Sequence, residues 1–118
     1  MGWQQYADEN IRGGMLEFLI LHMLTECDMY GYQIRQKLSE RTKGMYEMQI
    51  GSLYGAFYRM ESKKWISSYK QIGETNKPRT YYHIEDSGKE YLAYGKAQYM
   101  KVTEGIMNLF NWSEGSNE

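Results

Sequence analysis

A chain of 118 residues, 42% hydrophobic and 25% charged, describes one globular domain able to form a core without disulfide staples. The lone Cys27 excludes an internal disulfide, and the apolar run over residues 15–24, broken by Glu17 and His22, is too short to cross a bilayer. The net charge of −1 conceals an asymmetry: residues 30–83 carry ten Lys/Arg against four acids, a net +6, and the remainder four against eleven. A basic middle between acidic ends points to a polyanion facing that middle.

The opening residues have neither the basic nor the apolar stretch of a leader, and position 6 is not the Ser or Thr that myristoylation prefers, so a cytoplasmic location is expected. Residues 1–10 show no period and read as a flexible arm. From 11 to 27 the spacing predicts one helix with two apolar stripes. Leu16, Leu19, Ile20, Met23, Leu24 and Cys27 form the first; Ile11, Met15, Phe18 and His22 form the second. A helix apolar on both sides lies between its own core and another body, and in so short a chain a second subunit is expected. Residues 30–42 read as a second helix, with Ile34 and Leu38 inward and Arg35, Lys37 and Arg41 outward. Lys43-Gly44 closes it, with glycine where the chain leaves the helix.

After a short link over 45–48 comes the run 49–66, the most informative stretch. Leu53, Phe57 and Met60 share one helix face, while Gly51, Gly55, Tyr58 and Ser62 form the other, with Ser52 and Arg59 alongside. Glu, Lys and Gln usually fill a solvated face, and each interior glycine costs about 1 kcal/mol against alanine. The face is either a surface helix of poor propensity or one that something approaches closely, and a DNA major groove is such a thing. Helix, turn, helix is also the order of the DNA-reading helix-turn-helix.

The period then changes to two. Residues 65–72 and 79–84 read as strands around a polar loop over 73–78, with Pro78 kept out of the ladder and Lys77 and Arg79 at the tip. Thr80, Tyr82 and Ile84 share one face, Tyr81 and His83 the other. Such a hairpin beside the helix above is a wing. From Asp86 or Ser87 as N-cap, a last helix runs to about Phe110. Leu92, Gly95, Tyr99, Val102, Ile106 and Leu109 step by three and four, a seam for a partner helix that reads as a dimer arm. The expected organisation is an arm (1–10), a winged helix-turn-helix domain (11–84), a dimerisation helix (85–111) and a polar tail (112–118) in a mainly α (α+β) fold.

In order and spacing, Gly14-Met15-Leu16-Glu17-Phe18-Leu19-Ile20-Leu21, Tyr30-Gly31-Tyr32-Gln33-Ile34, Gly51-Ser52-Leu53-Tyr54, Tyr58-Arg59-Met60-Glu61 and Arg79-Thr80-Tyr81-Tyr82 resemble the PadR family of bacterial transcriptional regulators. The resemblance implies a winged helix-turn-helix homodimer, joined through its last and first helices, that binds an operator as a repressor released by a small molecule. The single last helix is similar to the compact branch, whose first and last helices enclose an aromatic-lined cavity at the dimer centre. Gly55 stands where the family has proline, Gln49 where a serine caps, and Glu85 where a threonine precedes the last helix.

The expected DNA-binding residues are Tyr32, Ser52, Tyr54, Tyr58, Arg59, Lys63, Lys77 and Arg79, with Lys64 in support. Met15, Phe18, His22, Tyr99, Met100 and Val102 are the expected lining of a ligand cavity for a planar aromatic inducer, and Leu92, Gly95, Ile106 and Leu109 the dimer seam. A protein–protein adaptor that keeps the fold without binding DNA is the alternative, against which the basic middle speaks. No nucleophile motif, phosphate loop or metal spacing accompanies His22, His83 or Cys27, so neither an enzyme nor a cofactor is expected.

Overall fold

A computed structural model describes residues 2–115. Its elements are α1 (Trp3–Arg12), α2 (Leu16–Leu24), β1 (Met29–Tyr30), α3 (Gly31–Arg41), α4 (Ile50–Ser62), β2 (Ile66–Ile72), β3 (Pro78–Ile84) and α5 (Asp86–Phe110). The expected winged helix-turn-helix with a C-terminal helix is the fold observed.

The core is built where the periodicity placed it. Ile20, Met23 and Leu24 from α2, Ile34 and Leu38 from α3, and Leu53, Phe57 and Met60 from α4 are all buried, joined by Ala56. Tyr82 and Ile84 close the core from β3, the Tyr82 ring lying 4.2 Å from that of Phe57. Among the described residues no polar or charged side chain is buried, so the interior needs no hydrogen bonds beyond its backbone ladders.

α3 ends as its sequence demands. Lys43 and Gly44 take positive φ (53° and 83°), and the Gly44 N–H donates to the Ser39 carbonyl at 2.8 Å, satisfying a last-turn acceptor. At the other end the Tyr30 N–H donates to the Gln33 side chain at 3.4 Å. α4 has no side-chain cap at Gln49, as the missing serine foretells.

Four expectations are corrected. Residues 3–12 are helical rather than an irregular arm; Trp3, Ala7 and Ile11, with Tyr6, make a short apolar stripe that the sequence reading passed over. The predicted helix over 11–27 is two helices, because Gly14 adopts φ +87° and breaks the chain between them. Ile11 therefore belongs to α1, and Cys27 lies exposed past the end of α2 instead of in its apolar stripe. Glu85, not Asp86 or Ser87, is the N-cap of α5; the Ser87 hydroxyl donates to the Lys64 carbonyl instead, at 2.6 Å. Pro78 is not outside the ladder but opens β3 opposite Ile72, and as the first residue of the strand it is at a position where proline is tolerated.

The sheet has order β1-β3-β2, all antiparallel, with Met29 opposite Tyr82 and Ile66 opposite Ile84. Asp28, just before β1, reinforces this frame. It accepts from the Tyr69 hydroxyl at 2.7 Å and faces His83 Nδ1 at 2.8 Å, so one carboxylate holds both wing strands. Burial opposes its ionisation, but the bonds from Tyr69 and His83 outweigh that and hold its pKa below the usual carboxylate value. Tyr69, donating to that carboxylate, is pushed up to about 12.

α5 joins the body more firmly than expected. The Tyr91 ring is sandwiched between Trp65 (3.7 Å) and Phe18 (4.7 Å), and Leu92 is buried. A Cβ at Gly95 would overlap the Phe18 ring, and one at Gly88 the Trp65 carbonyl. Leu92 and Gly95 thus pack against their own chain, where a partner helix was expected, because the first three turns of α5 lie across α2. Beyond them Tyr99, Val102, Ile106 and Leu109 are exposed. The expected polar tail lies partly outside the described residues, at 116–118; Trp112, at its start, is 53% exposed. No helix of the described residues is long and apolar enough to cross a membrane.

Candidate nucleic-acid interface

α3 and α4 present the surface on which the expected contact residues fall. Tyr32 stands exposed near the start of α3, and Ser52, Tyr58 and Arg59 are exposed on α4, with Lys63 at its C-cap. A groove of about 680 Å³ runs between α3 and the entrance of α4, walled by Tyr32, Arg35, Gln36, Glu47 and Gln49. Arg35 Nε donates to the Met48 carbonyl at 2.8 Å, tying the link before α4 to α3. Tyr54 is half exposed, its hydroxyl beside Gly31, where an added Cβ would lie 3.2 Å away. It therefore sits at the junction of the two helices, and α3 is kept close by the absence of a side chain at its first residue.

The two glycines of α4 are not demanded by anything inside the chain. A Cβ at Gly51 would meet nothing within 4 Å, and one at Gly55 only Arg59 Nη1 at 3.6 Å, an ordinary contact. Neither has positive φ. The backbone of α4 is thus left bare on its outer face without an intramolecular reason.

Ser52 and Arg59 face a second groove, of about 520 Å³, whose other wall carries Glu9, Arg12 and Glu17, with Glu47 at its end. The linear division into acidic ends and a basic middle is consequently blurred in space, since Glu9 and Glu17 from the acidic start come beside α4. Arg41, one of the ten basic residues of the middle, is paired with Glu26. That pairing lowers the Glu26 pKa and raises that of Arg41.

Besides Pro78, the wing differs from the expectation at Arg79. Its loop turns at Asn76, which takes φ +61°, and exposes Lys77. Arg79 is not at the tip. It is the second residue of β3, its guanidinium carbon 4.3 Å from the centroid of the Tyr30 ring and its Nη2 donating to Thr75 Oγ1 at 3.4 Å. The cation–π contact holds it against the body.

The expected cavity residues are largely brought together. Met15, Phe18, His22, Tyr99 and Met100 line one apolar groove of about 580 Å³; Val102 does not reach it. Ile11, Arg12, Leu19, Thr42, Met45, Tyr46, Leu92 and Lys96 complete the lining and were missed, Met45 and Tyr46 because the sequence places them in a link. Burial pushes the Tyr46 hydroxyl pKa up, and this hydroxyl donates to the Arg12 carbonyl at 3.0 Å. Among the described residues no cluster of His, Cys, Asp and Glu fit to hold a metal is found.

Residues 20–94 match the transcriptional regulator PadR-like family. The chain belongs to that family. This PadR-like chain is 36% identical over 97 residues to an uncharacterised protein of Lysinibacillus sphaericus, covering 82% of this chain and 88% of that one. Among solved structures it is similar to a transcriptional regulator from Clostridium thermocellum, with 33% identity, TM-score 0.74, and coverage of 87% and 96%. It is equally similar to a PadR-like transcriptional regulator from Bacillus cereus, with 31% identity, TM-score 0.74, and coverage of 85% and 95%. The PadR-like chain is accordingly a transcriptional regulator, and the family is not a class of enzymes.

Proposed function

We propose that this PadR-like regulator binds a palindromic operator as a homodimer, acts as a repressor, and is released by a small planar aromatic ligand. The observation that carries DNA binding is the outer face of α4, where Gly51 and Gly55 leave the backbone bare for no intramolecular reason beside exposed Tyr58 and Arg59. A helix so stripped fits a major groove, with Ser52, Tyr58 and Arg59 toward base edges or phosphates and Tyr32 and Tyr54 toward the backbone. Lys63 and Lys77 hold flanking phosphates; Arg79 shapes the wing through Tyr30.

Dimerisation uses the outer half of α5, where Tyr99, Val102, Ile106 and Leu109 form an exposed seam, and it sets the half-sites about 34 Å apart or a multiple of it. The groove of Met15, Phe18, His22, Tyr99 and Met100 opens beside that seam, and a planar aromatic ligand would stack there. Such a ligand releases DNA by favouring a dimer whose α4 helices have the wrong separation.

The test is fluorescence anisotropy of the purified protein on DNA from upstream of its own gene, across a salt series. Tight binding to one duplex, with log affinity falling by roughly 0.9 per log salt for each phosphate neutralised, is the expected result. A dimer that ignores every duplex in dilute buffer would instead favour an adaptor with the same fold.

A further inference from the structure

We propose that the acidic wall beside α4, Glu9 of α1 and Glu17 of α2, is a specificity device: it holds Arg59 back from bare phosphate and yields it to a base edge. The inference rests on the reading that α4 enters a major groove, and it names the residues that set discrimination there.

Ser52 and Arg59 lie two turns apart on α4, with Gly55 between them, and form one wall of the groove of about 520 Å³. The Arg59 guanidinium is folded back along the helix, its Nη1 3.6 Å from where a Cβ of Gly55 would stand. Across the groove α1 presents Glu9 and Arg12, the Gly14 break brings in Glu17, and Glu47 closes the end. Three carboxylates against one guanidinium leave that lining at net −2 opposite Arg59. Their own partners are neutral: Glu9 accepts from Gln5 Nε2 at 3.2 Å and Glu47 from the Ser39 hydroxyl at 3.4 Å. Among the described residues the ion pairs join Arg41 to Glu26, His83 to Asp28 and Glu85, and Lys89 to Asp86; Arg59 is in none of them. The cation is thus drawn toward the lining without being locked to it. Water weakens that attraction, but across a groove shorter than the screening length of about 8–10 Å it persists.

What Arg59 receives in exchange decides the consequence. A phosphate of any sequence offers it one anionic partner, much like the carboxylates it leaves, so the exchange gains little. Glu9 and Glu17 also repel that phosphate directly. A guanine edge offers O6 and N7 together in the bidentate geometry that suits arginine, and it carries no formal charge for the wall to repel. The wall therefore lowers affinity for random duplex more than affinity for an operator.

The test is fluorescence anisotropy of the full chain on two duplexes of equal length and composition, the tightest-binding fragment from upstream of its gene and a shuffled version, across a salt series. Glu9→Gln/Glu17→Gln should bind the shuffled duplex about tenfold more tightly, from two freed arginines per dimer at roughly threefold each. Its salt slope on that duplex should steepen by about 1.8, two further phosphates being neutralised. Operator affinity should change by less than about threefold, and adding Arg59→Ala should abolish the gain. Glu9→Asp/Glu17→Asp keeps the charges and should keep wild-type discrimination, with thermal unfolding to verify that each variant is folded. Equal gains on both duplexes, a gain that survives Arg59→Ala, or lost discrimination in the Asp variant overturns the device and leaves DNA binding by α4 standing. So does an unchanged affinity for the shuffled duplex. If wild type and every variant ignore both duplexes, DNA binding by α4 falls and the device falls with it.

Discussion

Replacing Gly55 by Ala separates the two reasons a helix can carry glycine. The residue lies in the interior of the thirteen-residue α4, half-buried, and the added Cβ meets only Arg59 Nη1 at 3.6 Å. Nothing must move, so the variant recovers helix propensity of about 1 kcal/mol. That corresponds to a rise in melting temperature of roughly 4 °C for a domain of this size. On DNA the same methyl projects from a backbone meant to approach base edges. If each of two half-sites loses about 1.4 kcal/mol, affinity falls tenfold per half-site, or about 100-fold in all. Thermal unfolding by circular dichroism and anisotropy on operator DNA read the two quantities separately. A protein that melts higher and binds as before would refute the close-approach argument. Lower melting would show that the methyl meets something inside the fold.

Three further outcomes are expected. Gly95→Ala places a Cβ in the Phe18 ring and should cost about 1–3 kcal/mol, read by urea unfolding; an unchanged midpoint would mean that Phe18 swings away freely. Lys77→Ala should flatten the salt slope of DNA binding by about 0.9 and weaken binding to all sequences alike, whereas an identical slope would remove the wing loop from the interface. Asp28→Asn tests the clamp through pH. Because the folded pKa of Asp28 is depressed, its contribution is full above the unfolded value near pH 4 and is lost as pH falls through the lower folded value. Wild type should therefore exceed the variant in stability at neutral pH, and the two curves should converge in acid. Tyr69, raised to about 12, contributes fully below about pH 10 and loses that contribution as pH rises through 12. In the variant its ultraviolet titration should return toward an ordinary phenol, and an unmoved titration would deny the hydrogen bond.

What could be read from the residues alone was decided by local rules. Leu53, Phe57 and Met60 repeat at helical spacing and are buried, Tyr82 and Ile84 alternate and face inward, and Gly44 closes α3 in the left-handed region. The misreadings share a different cause. Gly95 looks the same in sequence whether the body that approaches it is a partner or Phe18, and only the path of α5 across α2 decides. Arg79, read as the first residue of the return strand, counts as a tip cation until the fold lays its guanidinium over Tyr30. Glu9 and Glu17 count with the acidic start until the Gly14 break folds α1 and α2 beside α4. The exposed face of α4 was legible because a helix face is a local property. The groove was legible in part, since Met45 and Tyr46 enter it from an irregular segment that has no period to read.

β1 is only two residues long, but it begins where α3 is about to start and pairs with the wing's central strand, Met29 against Tyr82 and Tyr30 against Tyr81. The reading head is therefore stitched to its own flap on the side opposite the hairpin loop, with Asp28 as a further rivet into both strands. A hinge at that seam would have to break ladder bonds and expose Met29, which is fully enclosed. On the proposed reading, release from a duplex would therefore move α3, α4 and the wing together, since β1 ties the flap to the start of α3.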